Sequence, residues 1–109
     1  EVADLIRNAG GLAIASHIDR ERFGIMSQLG FIPETLRLDG LEVSPLTTAP
    51  EARRRFPEIA GYPVIRSSDA HFLDDIGKFT TVFLMKDMGF AEIRRALAGS
   101  DGRKIEYQA

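Results

Sequence analysis

The stretch RSSDAHFLDD, from Arg66 to Asp75, places an aspartate, a histidine two residues later and two further aspartates just after the apolar run YPVI. The chain has two histidines in all. The other, His17, also ends an apolar run, in GLAIASHIDR, and it too has an aspartate two residues away, Asp19. Imidazole and carboxylate are the usual ligands of zinc, manganese or iron in open catalytic sites. In extended backbone, residues two apart point the same way, so Asp69 and His71 can address one point together. The D-x-H spacing is weak evidence by itself, because a strand-end histidine is more often a hydrogen-bonded surface group than a ligand. The placement of His17 at a second strand end adds weight to the metal interpretation.

Both histidines need a scaffold that brings strand ends together. Val2, Leu5, Ile6 and Ala9 have helical spacing, with Gly10 and Gly11 as a stop. LAIAS (12–16) predicts a strand buried on both sides. Residues 20–30 predict a helix with Phe23, Ile25, Met26 and Leu29 on its apolar side, ending at Gly30. FIPETLRL is a connector or short helix. DGLEVS (39–44) predicts a second strand. TTAPEARRRFPEI predicts a helix that begins with a capping threonine and Pro50 and runs to Pro57. YPVIRS (62–67) and TTVFLM (80–85) predict the third and fourth strands, and residues 88–100 a last helix with a Phe90, Ile93, Leu97 stripe. Strands alternating with helices imply parallel βαβ units with right-handed crossovers. Ligands of such folds bind beyond the carboxyl ends of the strands, where His17, Asp69 and His71 all lie.

The composition bounds the function. The chain has 109 residues and is read as one domain, 1–109. A formal charge of −2 gives no sign of a general polyanion binder. Arg53, Arg54 and Arg55 read as a solvated helix face, with phosphate or nucleic-acid contact as the alternative. The absence of cysteine excludes disulfides and thiolate metal sites. No apolar stretch has membrane-spanning length and the start lacks a signal pattern, so a cytoplasmic protein without membrane contact is expected. EVADLIRNAGG reads as the second half of a helix, which suggests a piece of a longer protein.

GGLAIASHIDR, DGLEVS and SSDAHFLDDIG, in that order and spacing, resemble the carboxyl-terminal half of a PHP (polymerase and histidinol phosphatase) domain. SSDAH is the most specific segment. The resemblance implies a fold in which parallel βαβ units form part of a distorted seven-stranded (β/α)7 PHP-type barrel. It implies metal ligation by His17, Asp69 and His71 with divalent zinc, manganese or iron, the rest of the cage lying in a missing N-terminal half of the same protein. It also implies that the full-length protein is a phosphoesterase, hydrolysing a phosphate ester of a small molecule or nucleotide by a metal-activated water, and that the isolated chain is inactive. Ile18 stands where many members have proline.

Other residues take lesser roles. Glu42 alternates with Leu41 and Val43, so it faces away from them into the barrel, as support for the site or as a structural hydrogen-bonding group. Arg20 could grip a substrate phosphate; the alternative is a charge pair with Asp19 at a helix start. Asp74 and Asp75 read as a turn pair before Gly77, and Ser67 and Ser68 as groups bonding local backbone. Two rivals stand beside the enzyme: a non-catalytic PHP-like assembly or regulatory domain, and a small α/β binding module. Uncovered by its missing half, the chain is expected to self-associate, as a homodimer of the fragment, or to bend its sheet to shield that face.

Overall fold

The computed structural model describes residues 1–22 and 24–107. Phe23, expected on the apolar side of the second helix, lies outside the described residues. The elements in chain order are α1 (Val2–Asn8), β1 (Ile14–Ala15), α2 (Ile25–Leu29), β2 (Gly40–Val43), α3 (Ala49–Arg55), β3 (Val64–Arg66), β4 (Val82–Leu84), α4 (Phe90–Ala98) and β5 (Lys104–Glu106). Short 3-10 turns follow α3 (Pro57–Ile59) and β3 (Leu73–Asp75).

Strands β1, β2 and β3 form one parallel sheet in that order, with Ala15 opposite Leu41 and Leu41 opposite Val64. Side chains alternate across a strand, so Leu41, Val43 and Val64 share one face while Glu42 and Ile65 stand on the other. The first face carries the core: Leu41, Val43 and Val64 pack with Ile18, Met26, Ala49, Ala52 and Ile59. The small side chains of Ala49 and Ala52 let α3 lie close over the sheet. Its start is set by sequence in the way expected. Thr48 Oγ1 accepts from the Glu51 N–H at 3.3 Å while Glu51 Oε2 accepts from the Thr48 N–H at 2.8 Å, with Pro50 in the first turn.

Several expectations are corrected. TTVFLM supplies β4, but β4 does not join the parallel sheet: it pairs antiparallel with β5, Phe83 opposite Ile105. A parallel neighbour needs a long crossover, usually a helix, and the helical structure of the 67–81 segment is limited to one 3-10 turn. The outer edge of β3 is closed by hydroxyls instead. Tyr107 Oη accepts from the Val64 N–H at 3.1 Å, and Thr81 Oγ1 accepts from the Arg66 N–H at 2.8 Å while donating to the Arg66 carbonyl at 2.6 Å. Strand β1 is shorter than LAIAS, and it lies half-buried at a sheet edge, so burial on both sides is wrong. Helix α1 buries Ala3, while Val2 and Leu5 are 71% and 69% exposed, so its expected stripe faces outward. On α4 the buried positions are Glu92, Ala96 and Leu97, with Phe90 exposed. Arg53 is not simply solvated: it lies 4.7 Å from the Tyr107 ring centre.

Glu92 organises the second sheet. Its carboxylate accepts from Arg103 Nε at 2.8 Å, from the Lys86 N–H at 3.0 Å and from Arg95 Nη1 at 2.7 Å, which ties α4 to the turn before it and to the entry of β5. The Arg103 guanidinium, then the Lys86 N–H and Arg95, outweigh the cost of removing the charge from water and hold the carboxyl at about 2. A carboxyl depressed in the folded state adds stability above its unfolded value of 4.5 and loses it as pH falls toward about 2. Acid unfolding followed by circular dichroism between those limits should therefore flatten in Glu92→Gln. An acid limb of unchanged steepness would show that Glu92 is not a principal titrating group of the fold.

Candidate functional site

Because β1, β2 and β3 run parallel, their following loops all emerge at one edge of the sheet. His17 lies two residues beyond β1, Ser44 one beyond β2, and Asp69 and His71 three and five beyond β3. The loops are joined by three carboxylates.

The first is Asp19. It accepts from the Ser44 N–H at 2.7 Å, from Thr47 Oγ1 at 2.6 Å and from the Ser44 hydroxyl. This clamps the loop after β1 onto the loop after β2 and drives the adjacent Ile18 into the core, where it has no exposed surface. Burial pushes the Asp19 carboxyl up, but the Ser44 and Thr47 hydroxyls and the Ser44 N–H outweigh it, so the group titrates below its ordinary value. The expected Asp19–Arg20 pair at a helix start is replaced by this arrangement.

Glu42 is the second. Its side chain stands on the sheet face away from the core, and its two oxygens divide their work. Oε1 accepts from the His17 N–H at 3.3 Å and Oε2 from Ser67 Oγ at 2.8 Å. One carboxylate thus spans the loops that carry His17 and Asp69. Ser67 bonds this side chain rather than local backbone. The Glu42 carbonyl accepts from the Ile18 N–H at 2.9 Å. That shift is possible because His17 has φ 27, a conformation uncommon outside glycine.

Asp69 is the third. Its Oδ2 lies 2.5 Å from Arg20 Nη2. Asp69 also has positive φ, 49. Its carbonyl lies 2.8 Å from His71 Nδ1, which fixes the His71 ring while leaving the residue exposed. Asp75 pairs with Lys78 at 2.9 Å, in keeping with a turn role ahead of Gly77. Strained backbone at non-glycine residues is concentrated at functional positions, and two of the three described cases fall on His17 and Asp69; the third is Asp101.

His17 Nδ1 is buried and has no hydrogen-bond partner among the described residues. An unpaired buried ring nitrogen is costly, and it is a group that a cation could satisfy. Yet no three histidine, aspartate or glutamate side chains of the described residues converge closely enough to hold a metal ion. The donors present fit a share of a metal site rather than a whole one. Sequence reasoning missed the Asp19 clamp. Its local trace is the pair of hydroxyls of Ser44 and Thr47 just after a strand end, which does not point to Asp19 as their partner.

The comparisons with known proteins agree with the resemblance. Residues 51–101 match the PHP_C family, described as PHP-associated. That segment includes SSDAH, β3, β4 and α4. Over 105 residues the chain is 29% identical to the uncharacterized protein YqxK of Bacillus subtilis (strain 168). The match covers 92% of this chain and 27% of the relative, so the chain spans about a quarter of that protein's length. No solved structure matches the chain. No helix among the described residues is long and apolar enough to cross a membrane.

Asp19→Ala should destabilise the fold by about 2–3 kcal/mol, as expected for removing a charged acceptor from several donors. Urea unfolding measures it. A loss below about 0.5 kcal/mol, the size of an ordinary surface substitution, would contradict the clamp.

Proposed function

We propose that this chain provides part of the active site of a metal-dependent phosphoesterase of the PHP type, acting in the cytoplasm on a phosphorylated small molecule or nucleotide. The observation that carries the proposal is the buried, unpartnered Nδ1 of His17 on a loop that Glu42 ties to the D-x-H loop. The PHP-associated match over residues 51–101 supports the same class. In this reading β1, β2 and β3 are an arc of the (β/α)7 barrel, and closing it requires Thr81 and Tyr107 to release the outer edge of β3.

His17, Asp69 and His71 would hold zinc, manganese or iron, with the remaining ligands supplied from elsewhere in the longer protein. A divalent ion so held supplies Lewis acidity, lowering the pKa of water and neutralising phosphate oxygens. The chain's own residues orient and restrain. Glu42 fixes the backbone of His17 and the start of the D-x-H loop. Asp19 prevents the His17 loop from lifting away from β2. The Asp69 carbonyl sets the His71 ring. Ser67 has its hydroxyl committed to Glu42 and serves as support, not as a nucleophile.

A second reading has its own observation. Arg20 supplies a cation to Asp69, and no complete donor set converges among the described residues. Both fit a PHP-like domain kept for assembly or regulation, in which a guanidinium replaces the metal.

Calorimetric titration with Mn²⁺ and Zn²⁺ separates the two. The enzyme reading expects weak binding by the purified chain, reduced about tenfold or more by His17→Ala or His71→Ala, since losing even a group that supports a metal ligand costs about 10- to 100-fold. It also expects no turnover of a simple phosphomonoester by this chain alone. Metal binding that is indifferent to both histidines, or absent, favours the assembly role. Phosphatase turnover abolished by His71→Ala would show that these residues are sufficient and overturn the shared-site reading.

A further inference from the structure

Arg53, Arg54 and Arg55 close α3, and the three are placed differently. Arg53 is engaged: its guanidinium lies 4.7 Å from the Tyr107 ring centre and donates to the Tyr107 hydroxyl at 3.3 Å. Arg54 and Arg55 are exposed, and among the described residues neither has a carboxylate within ion-pair distance. Arg7, Arg20, Arg95 and Arg103 each have one. With Thr47 and Glu51, Arg54 and Arg55 line an open cleft of about 280 Å³. Arg54 and Arg55 follow Glu51 by three and four positions, so the three share one side of the helix. Helical side chains lean toward the amino end of their helix. That carries both guanidinium groups back toward Thr47 and the loop after β2. The Arg55 guanidinium lies 5.0 Å from the Phe56 ring centre, which limits its swing and leaves its N–H edge free.

We propose that Arg54 and Arg55 form a binding site for phosphate groups in this cleft, carried either by a small phosphorylated molecule or by a polynucleotide strand. This site is independent of the metal-site reading. The other two lining residues are already occupied. Thr47 Oγ1 donates to Asp19 at 2.6 Å and has no second proton to offer. Glu51 Oε2 accepts from the Thr48 N–H at 2.8 Å and from the Thr48 hydroxyl at 2.9 Å. The Thr48 N–H and hydroxyl, followed by the fields of Arg54 and Arg66, outweigh the loss of water and hold the Glu51 carboxyl below its ordinary value. Glu51 therefore stays charged, pinned at the helix start by its capping bonds. Two guanidinium groups stand against that one carboxylate, and Arg66 adds to the positive field. A carboxylate ligand has two oxygens and is filled by one bidentate fork, whereas a phosphate has enough oxygens to take two forks. The chain as a whole has a formal charge of −2, so an anion must be held by the local arrangement and not by overall charge.

The test titrates the purified chain, without added metal, with inorganic phosphate by calorimetry and with a labelled short oligothymidylate by fluorescence anisotropy. The unaltered chain should bind at least one of them at low salt. Replacing both residues, Arg54→Gln with Arg55→Gln, should weaken that binding about tenfold or more, for loss of charge-assisted contacts. For the oligothymidylate, the dependence of log affinity on log salt should become shallower by about 0.7 if both forks hold one phosphate, and by about 1.4 if each holds its own. Arg54→Lys with Arg55→Lys keeps the charge and loses the forks, so it should bind more weakly than the unaltered chain and more tightly than the glutamine pair. Both side chains are exposed, so circular dichroism should be the same for all three proteins. Tight oligothymidylate binding with weak phosphate binding assigns the site to a polynucleotide. Phosphate binding that the oligothymidylate does not improve on assigns it to a small phosphorylated molecule. Either result supports the site. Absence of binding to both ligands overturns it, as does an affinity unchanged in the glutamine pair. A lysine pair as tight as the unaltered chain, or polyglutamate bound as tightly as the oligothymidylate, reduces the effect to general charge attraction and also overturns it.

Discussion

The carboxylate of Asp19 is the interaction on which the site depends. Strand β1 is two residues long and lies at a sheet edge, so it contributes little ladder bonding of its own. What holds the loop beyond it is a side chain. Asp19 draws three donors from Ser44 and Thr47, and the residue before it, Ile18, is fully buried among Met26, Leu41 and Val43. The polar and apolar parts of this anchor need each other. Burial of Ile18 partly removes Asp19 from water, and that cost is offset by the three donors it meets at a strand end. With the loop fixed on both sides, His17 has a defined position and a backbone angle that it would rarely adopt in a free chain.

The strained residues become intelligible from that anchor. Positive φ at His17 lets the Ile18 N–H take the Glu42 carbonyl and leaves the His17 N–H for the Glu42 carboxylate. A single side chain on the non-core face of β2 then reaches across to Ser67. The middle strand thereby coordinates the loops of both its neighbours. Parallel sheets suit this arrangement because all their carboxyl ends lie on one edge, and one central carboxylate can touch two loops at once. The second layer is built on Glu92 and its two arginines. It closes the outer edge of β3 through Thr81 and Tyr107.

Much of this was legible in the sequence where local rules dominate. Thr48, Pro50 and Glu51 are sufficient to start α3, and the alternation of Leu41, Glu42 and Val43 places Glu42 off the core face. The strand-end positions of His17 and Asp69 follow from apolar runs of strand length. What was not legible depends on partners distant in sequence. TTVFLM has the composition of a parallel core strand, and only the absence of a crossover helix in residues 67–81 turns it antiparallel. KIE at 104–106 alternates correctly but is too short to stand out without its partner. The apolar spacing of Val2 and Leu5 marks a helix correctly and its burial wrongly, because periodicity identifies a face without saying what covers it. The Asp19 clamp links residues 25 and 28 positions apart, and no local pattern announces it.

The proposed shared site requires His17, Asp69 and His71 to bring their ligand atoms to one point when a metal ion binds, because they do not converge without it. Paramagnetic broadening by Mn²⁺ tests it most directly, because the effect falls steeply with distance from the ion. In a titration of the unaltered chain, the ring protons of His17 and His71 and the amide of Asp69 should broaden together at the same low Mn²⁺ concentration, while signals of Leu84 and Met88 stay sharp. Broadening of His71 alone, or of exposed carboxylates generally with His17 untouched, would contradict the account.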